Sequence, residues 1–372
     1  MPKPFRYLEP TFFSGLFDDP LLLIRVRPTG RALLFDCGKV HHLAKRVFTS
    51  IDAVFISHAH MDHFMGMDSV IRHSHASPRT IDVFGPPGIS DRMANKFGSY
   101  NWNLAETFWG NFRVSEVCEG KVASTLYSGP DQFVGRSEGE RAIILTPVQK
   151  GGRGGYLGDI YGNRFLTVKA ALCEHRIDVL TFKITEGDAF GVDDAAMARE
   201  GVMKGAWLRD LERLFHAGTL PGTPIIYPAQ VGELIEERRE ENAEALYLRI
   251  NKKEKAASIG YVTDVGYSEE NLERLTELVG GVSLLVCECA FLAEDKKKAD
   301  LSRHLCTTDL NMVLDRLRPS YVLPMHLSKS YQGGQSYRLY EEIDPPQGVT
   351  VLRIPERVTP RPVMASEIPK PE

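Results

Sequence analysis

The 372-residue sequence has no run approaching the ~18 apolar residues that a membrane-spanning helix needs. No membrane partner is therefore expected. The first ten residues, MPKPFRYLEP, lack the apolar core of a secretion signal, so the chain reads as cytoplasmic. Cysteines are few and scattered, at Cys37, Cys118, Cys173, Cys287, Cys289 and Cys306, without a CxxC pair. That spacing excludes a disulfide framework and a thiolate metal cage, and leaves reduced, mostly buried thiols. Neither sign of charge dominates: 45 Lys and Arg against 49 Asp and Glu leave a net −4, no global invitation to nucleic acid. A local basic groove remains compatible with that balance, so charge leaves the partner open. Residues 150–162, KGGRGGYLGDIYG, are glycine-rich, but no Lys-Ser/Thr follows them. A flexible hairpin or lid is the better reading than a phosphate-cradling loop. No repeat of 20–50 residues is visible.

What is present is an ordinary globular composition, 43% hydrophobic and 25% charged. The length alone would allow about two domains. The pattern reads instead as one domain over 1–359, carrying an insertion at 186–255 and a loose, proline-rich tail at 360–372. Residues 21–36 read as two strands joined at Pro28-Thr29-Gly30, and Ala53-Val54-Phe55-Ile56 and 80–84 as further buried strands. Strands return at 164–172 and 178–184. Within the insertion, Trp207, Leu208, Leu211, Leu214 and Phe215 predict an amphipathic helix. The charged stretch 233–244 predicts a solvated helix or projecting arm, and 252–255 the tip of a hairpin between strands 246–251 and 257–263. Ser268 is positioned to cap a helix running to Gly280-Gly281, and Thr308 one ending before Pro319. Strands at 283–288 and 321–326 complete an α/β pattern.

One stretch concentrates chemistry. Ser57-His58-Ala59-His60-Met61-Asp62-His63 follows a buried strand and sets three imidazoles and one carboxylate in the order H-x-H-x-D-H. In extended chain His58 and His60 share a face, and a turn can bring Asp62 and His63 to a second focus. Imidazole and carboxylate without thiolate suit zinc, manganese or iron, not a closed structural zinc site. The other polar candidates, His175, Asp264, Glu288 and His326, also fall at strand ends, where a rigid scaffold usually carries its catalytic groups. Five histidines and two aspartates are the right number for two ions sharing one carboxylate.

The order H-x-H-x-D-H, lone His, lone Asp, lone His resembles the metallo-β-lactamase superfamily, and within it the ribonuclease Z family of tRNA 3′-processing endonucleases. Leu34-Phe35-Asp36-Cys37-Gly38, Phe84-Gly85-Pro86-Pro87-Gly88, Glu174-His175-Arg176-Ile177, Val286-Cys287-Glu288-Cys289-Ala290-Phe291, Arg303-His304-Leu305-Cys306-Thr307 and His326-Leu327-Ser328-Lys329-Ser330-Tyr331 resemble that family's motifs in order. The resemblance implies a four-layer αβ/βα sandwich with two Zn2+ per chain, or Mn2+ or iron in their place. It implies His58, His60 and His175 on one ion, Asp62, His63 and His326 on the other, and Asp264 bridging. It further implies a metal-bridged hydroxide as attacking group, with Asp62 at the catalytic centre. His304 becomes the proton donor and Glu288 its candidate partner. Ser328, Lys329 and Tyr331 would contact substrate. RNA is the implied partner, with a second copy of the chain. The rival expectations are a hydrolase of a small phosphodiester, lactone or sulfate ester on the same site, and a metal-stabilised interaction protein without catalysis.

Overall fold

The computed structural model describes residues 5–74, 79–103, 110–118, 120–143, 158–252 and 255–358. Most of the glycine-rich stretch, the centre of the 252–255 turn and the tail from 360 lie outside the described residues. The chain divides into two compact units, Met1–Gly187 with Ala257–Glu372, and Asp188–Ala256.

Among the described residues the larger unit builds two sheets. The first runs in chain order through β1 (Leu8–Phe12), β2 (Leu22–Val26), β3 (Arg31–Phe35), β4 (Ile51–Phe55), β5 (Thr80–Gly85), β6 (Asn111–Cys118), β7 (Lys121–Ser128) and β8 (Gly135–Ala142). From β3 to β6 the pairing is parallel. The second sheet contains β9 (Gly158–Asn163), β10 (Leu166–Glu174), β11 (Asp178–Glu186), β14 (Ser258–Val262), β15 (Leu284–Glu288), β16 (Tyr321–Met325) and β17 (Thr350–Val351), in the order β17-β16-β15-β14-β11-β10-β9. Its parallel part is β14 to β17.

Side-chain alternation explains the layering. On β3, Ala32 and Leu34 join one helix-side cluster with Val70, Met93 and Phe97. Phe35 points the other way and meets Phe182 and Tyr261 of the second sheet at 5.6 and 5.9 Å between centroids. Behind the second sheet, Val262, Leu285 and Val322 pack with Leu275, Leu278, Leu310 and Leu314 of helices Glu269–Val279 and Thr307–Leu317. Helix, sheet, sheet and helix thus stack in four layers, the αβ/βα sandwich expected. No helix among the described residues is long and apolar enough to cross a membrane.

Some local readings change. Residues 246–250 belong to helix Ala243–Ile250, because Ala243, Leu246, Tyr247 and Ile250 bury one face at helical spacing and Asn242 caps the start. The cap of helix Thr307–Leu317 is Cys306, whose N–H donates to Asp309 at 3.1 Å, so Thr308 lies inside the first turn. Just before His304, residues 300–302 close helix Lys296–Ser302.

The smaller unit has its own core of Trp207, Leu211, Tyr227, Leu246 and Tyr247. Helix Trp207–Ala217 is present as expected, with Trp207 Nε1 donating to Met203 O at 2.9 Å. Most of the charged stretch forms an exposed strand, not the solvated helix that is one of its two readings. β12 (Ile225–Val231) and β13 (Leu234–Glu240) make a hairpin with Val231 opposite Leu234, and β13 is exposed along most of its length.

Candidate metal centre

The polar residues gather at the C-terminal ends of strands. Asp36 follows β3, Ser57 and His58 follow β4, His175 follows β10, Asp264 follows β14, Glu288 ends β15 and His326 follows β16. His60 precedes the short helix Met61–Phe64, whose first turn carries Asp62 and His63. Asp36, Asp264 and His326 have φ of 54°, 44° and 63°. A non-glycine residue held there costs on the order of 1–3 kcal/mol, which the surrounding packing must offset.

Two groups of ligand-type atoms result. His58, His60, His175 and Asp264 each place a donor within 4.8 Å of the others, and so do Asp62, His63 and His326. His58 Nε2 and His60 Nδ1 converge to 2.8 Å. Asp264 lies between the groups: its Oδ2 is 3.5 Å from His58 Nε2, 3.8 Å from His175 Nε2 and 3.4 Å from His63 Nε2, while Oδ1 is 3.3 Å from His326 Nε2. Asp62 Oδ2 is 3.3 Å from His326 Nε2 and 3.6 Å from His63 Nε2. All seven residues singled out as ligands in the sequence therefore converge.

The fit to cations rests on the nitrogens. His63 Nε2 and His326 Nε2 are buried without a hydrogen-bond partner among the described residues, which is costly unless something occupies their lone pairs or protons. Burial first, then the neighbouring His63, pushes His58 down to about 2, and burial lowers His175, so both imidazoles are neutral donors. Burial opposes protonation of His63, yet Asp264 and Asp36 raise it well above the usual range. His326 is raised to about 9 against burial by Asp264 and Asp62. Burial would raise Asp62 and Asp264, but His326 and His63 hold both carboxyls below their ordinary range. A divalent ion at these donors would compete with protons for the same nitrogens and offset the charge of Asp62 and Asp264.

Outer contacts fix three of the rings. His58 Nδ1 meets Ser57 Oγ at 3.0 Å, His175 Nδ1 meets the Arg303 carbonyl at 2.5 Å, and His63 Nδ1 meets Asp36 Oδ2 at 2.9 Å. Asp36 is fully buried and also accepts from Ser57 N–H, Ser57 Oγ and Tyr261 OH at 2.7, 2.8 and 2.9 Å. The sequence reading gave Asp36 no site role, although it too ends a strand.

His304 stands beside the centre, with its ring 4.6 Å from that of His175. Its Nδ1 is 3.2 and 3.1 Å from the two oxygens of buried Glu288, the partner expected. Burial works against its charged form, but Glu288 outweighs that and raises it. Asp264, Glu288 and His304 also lie within 4.8 Å of one another, yet Glu288 is already engaged by His304 and by Val265 N–H at 2.7 Å.

Ser328 and Lys329 line a cleft of about 180 Å3 with Asp62, His326, Asp18 and Asp19, the last two unforeseen. Tyr331 does not open onto this cleft as a substrate contact should. It is 3% exposed, its hydroxyl donates to Asp295, and the same oxygen accepts from Leu292 N–H at 3.2 Å. Its ring packs in the helix-side core, so its work is structural.

Comparison with known proteins agrees with this geometry. Residues 31–151 match the model of the beta-lactamase superfamily domain. Ribonuclease Z of Deinococcus radiodurans is 27% identical over 304 residues, covering 81% of this chain and 83% of the relative. Ribonuclease Z of Nanoarchaeum equitans is 22% identical over 320 residues, covering 84% and 79%. The crystal structure of human tRNase Z, short form, superposes with a TM-score of 0.51 at 17% identity over 95% of this chain and 99% of that one, a likeness of fold. Residues 31–151 are thus similar to the beta-lactamase superfamily domain, and the chain over about four fifths of its length is similar to ribonuclease Z.

Proposed function

We propose that the chain is a dinuclear metal-dependent phosphodiesterase of ribonuclease Z type, cleaving RNA with precursor tRNA as its substrate class. The observation that carries this reading is Asp264 reaching both imidazole groups, through Oδ2 to His58, His175 and His63 and through Oδ1 to His326. His58, His60 and His175 would hold one Zn2+, Asp62, His63 and His326 the other, and Asp264 both; Mn2+ or iron suits the same donors. Bound ions of this kind acidify a water and offset charge on phosphoryl oxygens.

The chain's own residues do the rest. Ser57 and the Arg303 carbonyl engage Nδ1 of His58 and His175, which leaves Nε2 of each ring as the donor. An alkoxide leaving group needs a proton, and the ligand nitrogens cannot give one. His304 supplies it in this reading: Glu288 holds Nδ1, so Nε2 is the nitrogen left to deliver a proton. Lys329, on the cleft beside Asp62 and His326, offers a cation to a substrate phosphate, with Ser328 next to it. A second copy of the chain is the protein partner in this reading, and sedimentation of the full chain checks it.

The test is incubation of the zinc-loaded protein with a precursor tRNA and with bis(p-nitrophenyl) phosphate. Cleavage of both is expected. Hydrolysis of the small ester alone moves the reading to a small-molecule diester, and inertness towards both with two ions bound removes the hydrolase assignment.

A further inference from the structure

We infer that Asp36, which is not among the ligand-type residues, makes the Asp62, His63 and His326 side the tighter half of the metal centre; this rests on the dinuclear reading above. The two halves differ in what stands behind the ligands. On one side His58 leans on a hydroxyl and His175 on a carbonyl, both neutral. On the other His63 Nδ1 leans on a fully buried carboxylate at 2.9 Å. A carboxylate behind an imidazole fixes its tautomer and makes the opposite nitrogen more basic towards a metal. The His63 side also holds the unshared carboxylate of Asp62, whereas the other side has imidazoles only, apart from the shared Asp264. Glu288, a further buried carboxylate nearby, is spent on His304 and Val265 N–H.

A bland role competes with this. Asp36 ties β3, β4 and β14 together through Ser57 and Tyr261, so it could act only as a structural knot. The two roles separate at Tyr261, whose hydroxyl shares Oδ2 with His63. A knot weakens when Tyr261→Phe removes one strand of it. A charge acting on His63 does not weaken, because less of it is then drawn elsewhere.

The experiment titrates Zn2+ into the metal-free full chain against a chromophoric chelator, with metal counted by mass spectrometry and folding checked by circular dichroism. Two steps are expected in the wild type, the tighter one lost in His326→Ala and retained in His175→Ala. Asp36→Asn should weaken the tighter step by roughly 10- to 100-fold and spare the other. Tyr261→Phe should leave that step unchanged or tighter, and it decides alone if Asp36→Asn does not fold. Equal weakening of both steps by Asp36→Asn, no weakening at all, or a looser tight step in Tyr261→Phe overturns the inference. A wild type that binds fewer than two ions overturns the dinuclear reading instead, so the two failures are distinguishable.

Discussion

His304 presents Nδ1 to both carboxylate oxygens of Glu288, at 3.2 and 3.1 Å, and Glu288 has no exposure to solvent. A buried anion behind an imidazole stabilises the imidazolium, so a histidine so held is equipped to give a proton. His304→Ala should lower turnover of an alkyl diester by roughly 10²–10⁴-fold while metal content stays intact. The loss should shrink for nitrophenyl esters, whose leaving group needs no proton. Equal loss on both substrates, or shed metal, counts against the assignment. Glu288→Gln keeps an acceptor for Val265 N–H and removes the charge, so it should act in the same direction as His304→Ala.

The seven convergent residues give Asp264 the central place, 3% exposed at the side chain and within 3.3–3.8 Å of four imidazoles. Asp264→Ala should reduce bound metal from about two ions to one or none, since both ions are expected to use that carboxylate. Elemental analysis of the purified variant reads this directly. Full metal content in Asp264→Ala excludes a shared ligand.

The ligand-type residues were legible because their residue types are unusual and their positions regular. Three imidazoles within six residues, and single His and Asp residues at strand exits, stand out from any packing pattern. The four layers were legible through the resemblance and the alternating apolar strands. Asp36 was not, because its partner His63 lies 27 residues away, and a contact at that separation is made only by the fold. Tyr331 failed for the converse reason: it follows a motif, but whether a tyrosine meets substrate or core depends on burial that the motif does not encode. Helix Ala243–Ile250 was missed because its β-compatible Tyr247, Leu248 and Ile250 obscured the helical spacing of its buried residues.

Metal removal should cost stability without dismantling the fold. The cores around Phe35 and Phe182 and behind each sheet are apolar and are held by packing between sheets and helices. Zinc at about 100 times its Kd should add about 2.7 kcal/mol to the stability of the metal-free chain, by mass action. Thermal melts before and after chelation, with zinc restored, measure this. Indistinguishable melting temperatures would mean that the ligand cluster binds no ion in the folded state.

The unit Asp188–Ala256 allows a clean test of what the extra 69 residues do. It carries its own core, and its connections leave the larger unit side by side, because Glu186 N–H donates to Ala257 O at 2.9 Å. Joining Gly187 to Ala257 through a short glycine-serine linker therefore asks little of β11 and β14. None of the seven ligand-type residues, nor His304 or Glu288, lies in the removed segment. If the segment serves to hold a large substrate or a partner subunit, the deletion should spare hydrolysis of bis(p-nitrophenyl) phosphate and impair cleavage of precursor tRNA, mainly through KM. An inert excursion predicts that both activities survive. Equal loss of both, with metal content reduced, would instead make the segment a support for the centre itself. The exposed strand β13, with Glu236, Glu237, Arg238 and Arg239 in succession, is the place to refine an RNA-specific loss. Reversing Arg238 and Arg239 to glutamate should reproduce the deletion if those cations meet phosphate, and should leave both activities unchanged if they do not.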